Sequence, residues 1–200
     1  MRGGVSLPLT GFRQAVALVA LFNLTYFGVE FAVALSIGSV SLFADSIDFL
    51  EDTAVNFLIF VAVGWSAYRR SIVGMLLAML LLAPGIATLW MTWQKLGSPI
   101  PPDPVSLGLT GLGALVVNVS CAFVLARFRK HAGSLTRAAY LSARNDAIAN
   151  IAIIGAGIAT AATASAWPDI VVGLGIFAIN FDAAREVFVA AKAEHADARG

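Results

Sequence analysis

The stretch Ala44-Asp45-Ser46-Ile47-Asp48-Phe49-Leu50-Glu51-Asp52 sets four acids among apolar residues with no basic residue between them. Asp45, Asp48, Asp52 and Asn56 follow 3-4-4 spacing, which places side chains on one face of a helix, while Glu51 falls one position off that row. A second stretch, Tyr140 to Asn150, holds Asp146 in a related pattern. Asp52 and Asp146 each have Asn four residues later (Asn56, Asn150), a polar residue one before (Glu51, Asn145), and a carboxylate or hydroxyl four before (Asp48, Ser142). Residues four apart stack on a helix, so each stretch offers a polar pair one turn apart. Asp48, Asp52 and Asp146 with the Ser142 hydroxyl make an oxygen-rich set suited to a divalent cation. Crowded carboxylates in low dielectric hold protons, and a bound cation replaces those protons. Groups of this kind bind metal and protons in competition, the chemistry an exchanger needs.

The composition dictates the solvent around these acids. Of the 200 residues 59% are apolar and 12% charged, about half the charged share of a soluble domain, so the chain cannot cover itself with a water-facing surface. A formal net charge of +1 without a basic block excludes a nucleic-acid binder, and the apolar content excludes a disordered chain. Cys121 stands alone in an apolar run, which excludes a disulfide scaffold. The lipid bilayer is the expected environment.

A bilayer core of ~30 Å needs about 20 helical residues. Apolar runs of that size predict six spans, Arg13–Ser36, Leu42–Tyr68, Ile72–Trp93, Val105–Ala126, Leu135–Thr163 and Pro168–Ala191. The fold class is therefore all-α: a polytopic membrane protein, a six-helix bundle forming a single transmembrane domain over residues 1–200. Arg2 ahead of Ala15–Phe22 has the outline of a leader, but Asn23, Tyr26 and Glu30 interrupt the run before Ser36, so the segment reads as the first span. Lys and Arg concentrate in segments that lie on one side, with Arg69, Arg70, Arg127, Arg129, Lys130 and Arg137 among them, whereas the opposite loops hold only Lys95. The positive-inside rule then places both termini in the cytoplasm. The proline-rich linker Gln94–Pro104 is the one long enough to fold over a mouth.

Depth follows from helix rise. Asp48 and Asp52 fall about 10–17 Å below the outer end of the second span, and Asp146 roughly 13–17 Å from the inner face, so they meet near mid-bilayer. Ionisable groups there cost a few kcal/mol each and are functional suspects by default. Asp45, at the outer end of its helix, is either wetted, a helix-end carboxylate or part of the path; Glu51 faces a water path or the inner basic half, or ligates metal directly; Glu30, on the face of Asn23 and Tyr26, is a gate, a supporting acid or a lumen-facing structural residue. Asn56, Asn145 and Asn150 complete the expected lining. His131 and His195 fall in a loop and a tail, where lone histidines are solvated.

These residues resemble the cation diffusion facilitators, a family that exports divalent transition metals in exchange for protons. The resemblance runs through Asn23-x-x-Tyr26-x-x-x-Glu30, Gly38-Ser39-Val40-Ser41-Leu42-Phe43-Ala44-Asp45 and Asp48-x-x-x-Asp52, then Asn118, Asp146 to Asn150, and Trp167-Pro168-Asp169, so it runs from the first span to the sixth. It implies a metal held tetrahedrally between the second and fifth spans by Asp48, Asp52, Ser142 and Asp146, alternately open to each side. It also implies a homodimer. The chain departs from the family at Ser142, where His or Asp is usual, leaving Ser142, Asn145 or water as fourth ligand; in offering only His131 between spans four and five; and in ending soon after span six, so that regulation through a cytoplasmic metal-sensing domain is expected to be absent.

The expected function is export of a divalent cation from the cytoplasm in exchange for protons, with no resident cofactor and no enzyme activity, in a bacterial cytoplasmic membrane. An all-oxygen set leans by softness towards manganese or iron, while zinc accepts carboxylates tetrahedrally and is the commonest cargo among such relatives; zinc leads, with cobalt, iron and manganese open. Two other classes compete. A metal-dependent membrane enzyme of the CDP-alcohol phosphotransferase type needs Asp-Gly-x-x-Ala-Arg, and Ala143-Arg144 lacks the preceding Asp-Gly. A metal-binding accessory protein without transport of its own differs from a transporter in having no flux to lose when Asp52 or Asp146 is replaced.

Overall fold

Long apolar runs become helices in a bilayer because every backbone N–H and C=O must be satisfied within the chain. The computed structural model describes residues 9–62, 68–69, 72, 86–126, 128 and 134–197, and all its regular structure there is helical. Helix α1 spans Leu9–Ile37, α2 Val40–Ala62, α3 residues 86–97, α4 Pro104–Ala126, α5 Ser134–Thr163 and α6 Trp167–Asp197. Gly11–Ile37, Pro104–Ala126 and Ala143–Thr163 are long and apolar enough to cross a membrane by length and composition alone. The protein is an all-α membrane bundle. Arg70, most of the span Ile72–Trp93 and, except for Phe128, the residues 127–133 between the fourth and fifth spans fall outside the described residues.

Turn chemistry sets the helix ends. Gly38 takes φ 63°, the left-handed conformation that closes a helix, and the Ser39 N–H returns to the Ala34 carbonyl at 3.0 Å. Ser39 then caps α2, its hydroxyl accepting from the Leu42 N–H at 3.2 Å. At the head of α4, Asp103 accepts from the Ser106 N–H at 2.7 Å with Pro104 in the first helical position. Hydrogen bonding from the Ser106 side chain, and then from its N–H, holds the exposed Asp103 carboxyl below the usual aspartate range.

Helix α4 records the surrounding solvent. Val105, Leu109, Leu112, Val116, Val119 and Phe123 form an exposed apolar stripe, while Leu107, Thr110, Ala114, Asn118, Cys121 and Leu125 are buried on the other side. In lipid such an outward apolar stripe costs nothing, and the polar groups turn inward. Helices α4 and α5 pack closely, as do α1 and α2, and α2 also contacts α5 and α6. Glycines permit the tightest approaches: a Cβ on Gly157 would lie 3.2 Å from the Gly108 nitrogen, and one on Gly173 only 2.7 Å from the Val40 carbonyl carbon. These small residues serve packing within the chain.

Several helix ends depart from expectation, α1 already beginning at Leu9 rather than Arg13. The third helix continues to residue 97 rather than stopping at Trp93, so Lys95 is not a loop residue; α6 begins at Trp167 and runs to Asp197. Extending α3 by one turn carries the Lys95 ammonium to Asp169, a buried partner that a solvated loop would not supply.

Candidate functional site

Four polar residues on one face of α2 cannot all turn to lipid, so the helix must orient that face inward. Asp45, Asp48, Asp52 and Asn56 are all buried, with Asp48 and Asp52 retaining 8% and 7% exposure, and Glu51 is half-buried beside them. On α5, Asn150 is buried, Asp146 half-buried, and Arg144 and Asn145 exposed. Asn145 accepts from the Arg144 guanidinium at 3.3 Å, a contact with its own helix neighbour. Ser142 lies on α5; its side chain is outside the described residues.

The structure brings Asp48 into the electrostatic field of Asp146 across the α2–α5 packing, along with Asp45, Glu51 and Asp52 on its own helix. Cys121 of α4 lies in the field of both Asp52 and Asp146, which puts these two carboxylates on the same side of the bundle interior. Among the described residues, no three His, Cys, Asp or Glu side chains converge closely enough to hold a metal ion. The acids from α2 and α5 thus form a carboxylate-rich neighbourhood between two packed helices.

Asp52 and Asp45 receive hydrogen bonds from asparagines of other helices. Asn23 of α1 donates to Asp52 Oδ2 at 3.3 Å, and Cys121 Sγ donates to Asn23 Oδ1 at 3.5 Å. Asn56 sits one turn from Asp52, as its spacing requires, but its amide donates to the Asp52 backbone carbonyl at 2.8 Å rather than to the carboxylate. Asn150 does not turn towards Asp146 one turn away. It donates to Asp45 Oδ2 at 2.5 Å across the α2–α5 contact and accepts from Asn118 of α4 at 2.9 Å. The α2–α5 packing brings the Asp45 carboxylate, a strong acceptor, within reach of this amide. Glu30 of α1, fully buried, lies within hydrogen-bonding reach of Asp45.

At the end of the bundle marked by the α1–α2 turn, a second set of polar groups closes over these acids. The Asp169 carboxylate of α6 accepts from the Ser39 and Ser41 hydroxyls at 2.6 and 2.7 Å and from the Val40 and Ser41 N–H groups at 2.9 and 3.1 Å. Lys95 pairs with it at 2.9 Å and also donates to the Gly38 carbonyl. A carboxylate from α6 thereby caps α2 and neutralises a cation from α3, both inside the protein.

Asn23, Asn118, Cys121, Lys95 and Asp169 are the participants that spacing within single helices does not reveal. Their signal was their polarity within apolar runs, since a buried polar group needs a partner. Which partner depends on how the helices are arranged.

Intramembrane carboxylates on two facing helices, gathered around a buried polar interior, are the arrangement of a protein that passes cations through lipid. The sequence agrees with that geometry: the family model of the cation efflux transmembrane domain matches residues 16–194. No curated protein matches the chain. With nearly its whole length inside that match, the chain belongs to the cation efflux family, integral membrane proteins that transport metal cations.

Proposed function

We propose that the protein exports a divalent transition-metal cation, zinc foremost, from the cytoplasm in exchange for protons. The observation that carries this reading is the buried Asp48 of α2 lying in the field of Asp146 across the α2–α5 packing, two acids brought together from different helices. In this reading Asp48, Asp52 and Asp146 bind the cargo, and Ser142, Asn145 or water completes its coordination. Asn23 orients Asp52. Metal arriving from the cytoplasm displaces protons from the carboxylates, a rocking of the helices opens the site to the other side, and protons there release the metal. Acid outside favours release, so a pH gradient drives export. The working unit is a homodimer in a bacterial cytoplasmic membrane.

The test is flux into proteoliposomes containing the purified chain, with zinc, cobalt, iron and manganese offered separately under an imposed pH gradient. Zinc uptake that grows with the gradient and disappears in Asp52→Ala and Asp146→Ala supports the reading. Flux indifferent to the gradient removes proton exchange, and preference for another ion removes zinc.

A further inference from the structure

A second pair of acids lies apart from those assigned to the cargo. Glu30 on α1 and Asp45 on α2 are both fully buried, and Asp45 is three residues nearer the α1–α2 turn than Asp48, about 4.5 Å along the axis. The two carboxyl groups lie within hydrogen-bonding reach of each other. Yet neither Glu30 oxygen, nor Asp45 Oδ1, accepts from any N–H or O–H among the described residues.

The neighbouring donors are already engaged. Asn118 donates to Asn150, and Asn150 donates to Asp45 Oδ2, so this chain of amides ends on the carboxyl pair. The Tyr26 hydroxyl, in the field of both acids, donates instead to the Thr110 carbonyl at 2.6 Å. Asp48 is the other ionisable group whose field reaches Glu30, and it is also an acid. Two ionised carboxylates side by side in a buried space, with no donor for three of their four oxygens, carry repulsion and desolvation at once. One hydrogen between them removes both costs: the protonated acid donates, the ionised one accepts, and the amide chain supports the remaining negative charge. A divalent cation suits this place less well, because Asn150 presents an amide N–H to it.

We propose that Glu30 and Asp45 together bind a single proton, in a site separate from the cargo-binding carboxylates. The ligand is a proton taken from water; the O–H forms on one carboxyl group and hydrogen-bonds to the other, with no other bond broken. Because Asp48 lies in the field of this pair, gain or loss of the proton alters by one charge the potential felt by a cation held at Asp48. That link to cargo rests on the transport reading; the proton site does not.

The test is infrared spectroscopy of the full chain in lipid vesicles near neutral pH, with no metal added. A carboxylic-acid carbonyl band, recognised by its shift in heavy water, is compared across variants. Glu30→Gln and Asp45→Asn each supply an amide hydrogen to the remaining carboxylate, so both keep the fold while abolishing the need for the proton. The expected result is loss of the same intensity, one carboxylic acid, in each variant. Tyr26→Phe, which removes a hydroxyl directed elsewhere, leaves the band unchanged. An undiminished band in either carboxyl variant overturns the shared proton. Adding Glu30→Gln to Asp52→Asn is expected to remove the same intensity again, and no further loss there overturns the separateness of the site. None of these readings requires zinc to bind or move, so the transport reading can fail while this one stands.

Discussion

The Lys95 ammonium and the Asp169 carboxylate stand 2.9 Å apart inside the bundle, joining α3 to α6 over the first turn of α2. Asp169 also receives four hydrogen bonds from Ser39, Val40 and Ser41, so its charge is shared between a cation and a helix N-terminus. Removing one member leaves the other buried without its counter-charge, which costs about 3–5 kcal/mol. Lys95→Met and Asp169→Asn should each lower the thermal unfolding midpoint in detergent strongly. The double variant should fall short of the sum of the two by about 1–3 kcal/mol, because the interaction is lost only once. Additive losses would mean that the two groups contribute independently.

Gly173 and Gly175 provide a contrast two residues apart. A methyl on Gly173 would meet the Val40 carbonyl carbon at 2.7 Å and the Ser41 nitrogen at 2.8 Å, both backbone atoms of the α2 start. Backbone cannot rotate away, so Gly173→Ala should push α6 off α2 and destabilise by about 1–3 kcal/mol. A methyl on Gly175 meets nothing within 4 Å. Gly175→Ala should therefore be neutral or stabilising, by up to about 1 kcal/mol from helix propensity. Thermal midpoints of the two variants, measured together, check the pair.

What could be read from the chain and what could not divide along a physical line. The helices and the shared face of Asp45, Asp48, Asp52 and Asn56 were legible because bilayer thickness and helical period act within one segment. The partners of those side chains were not. Asn150 is one turn from Asp146, yet it bonds Asp45 from another helix. Lys95 looked like a solvated loop charge until one more turn of α3 brought it to Asp169. Which partner a side chain takes depends on what lies within reach across helices, and reach depends on packing, which no single-helix period encodes.

The cap of α4 gives a pH-dependent outcome away from the bundle interior. Asp103 accepts the Ser106 N–H at 2.7 Å, and hydrogen bonding from the Ser106 side chain and then from this N–H lowers its carboxyl below the usual aspartate value. A group lowered in the folded protein stabilises it above the unfolded value, and the contribution fades as pH falls through the folded one. The difference in thermal midpoint between the native chain and Asp103→Ala should thus be present at neutral pH and shrink below about pH 4. Asp103→Asn retains a capping oxygen and should lie close to the native chain at neutral pH.

Asn23 allows the support of Asp52 to be weighed apart from ligation. Its amide donates to Asp52 Oδ2 at 3.3 Å, and its own oxygen accepts from Cys121. Groups that orient a ligating carboxylate typically account for 10–100-fold in metal affinity. The bond here is long, so Asn23→Leu should weaken zinc binding by about 10-fold, the low end of that range. Leucine is close in size, and the donor it leaves without its acceptor is only the weak Cys121 thiol, so the bundle should stay folded. Its zinc saturation curve should shift while still reaching the native stoichiometry, whereas Asp52→Ala should lower the stoichiometry itself. Equal behaviour of the two variants would place Asn23 among the groups that hold the metal directly. Unchanged affinity would mean that Asp52 is oriented without it.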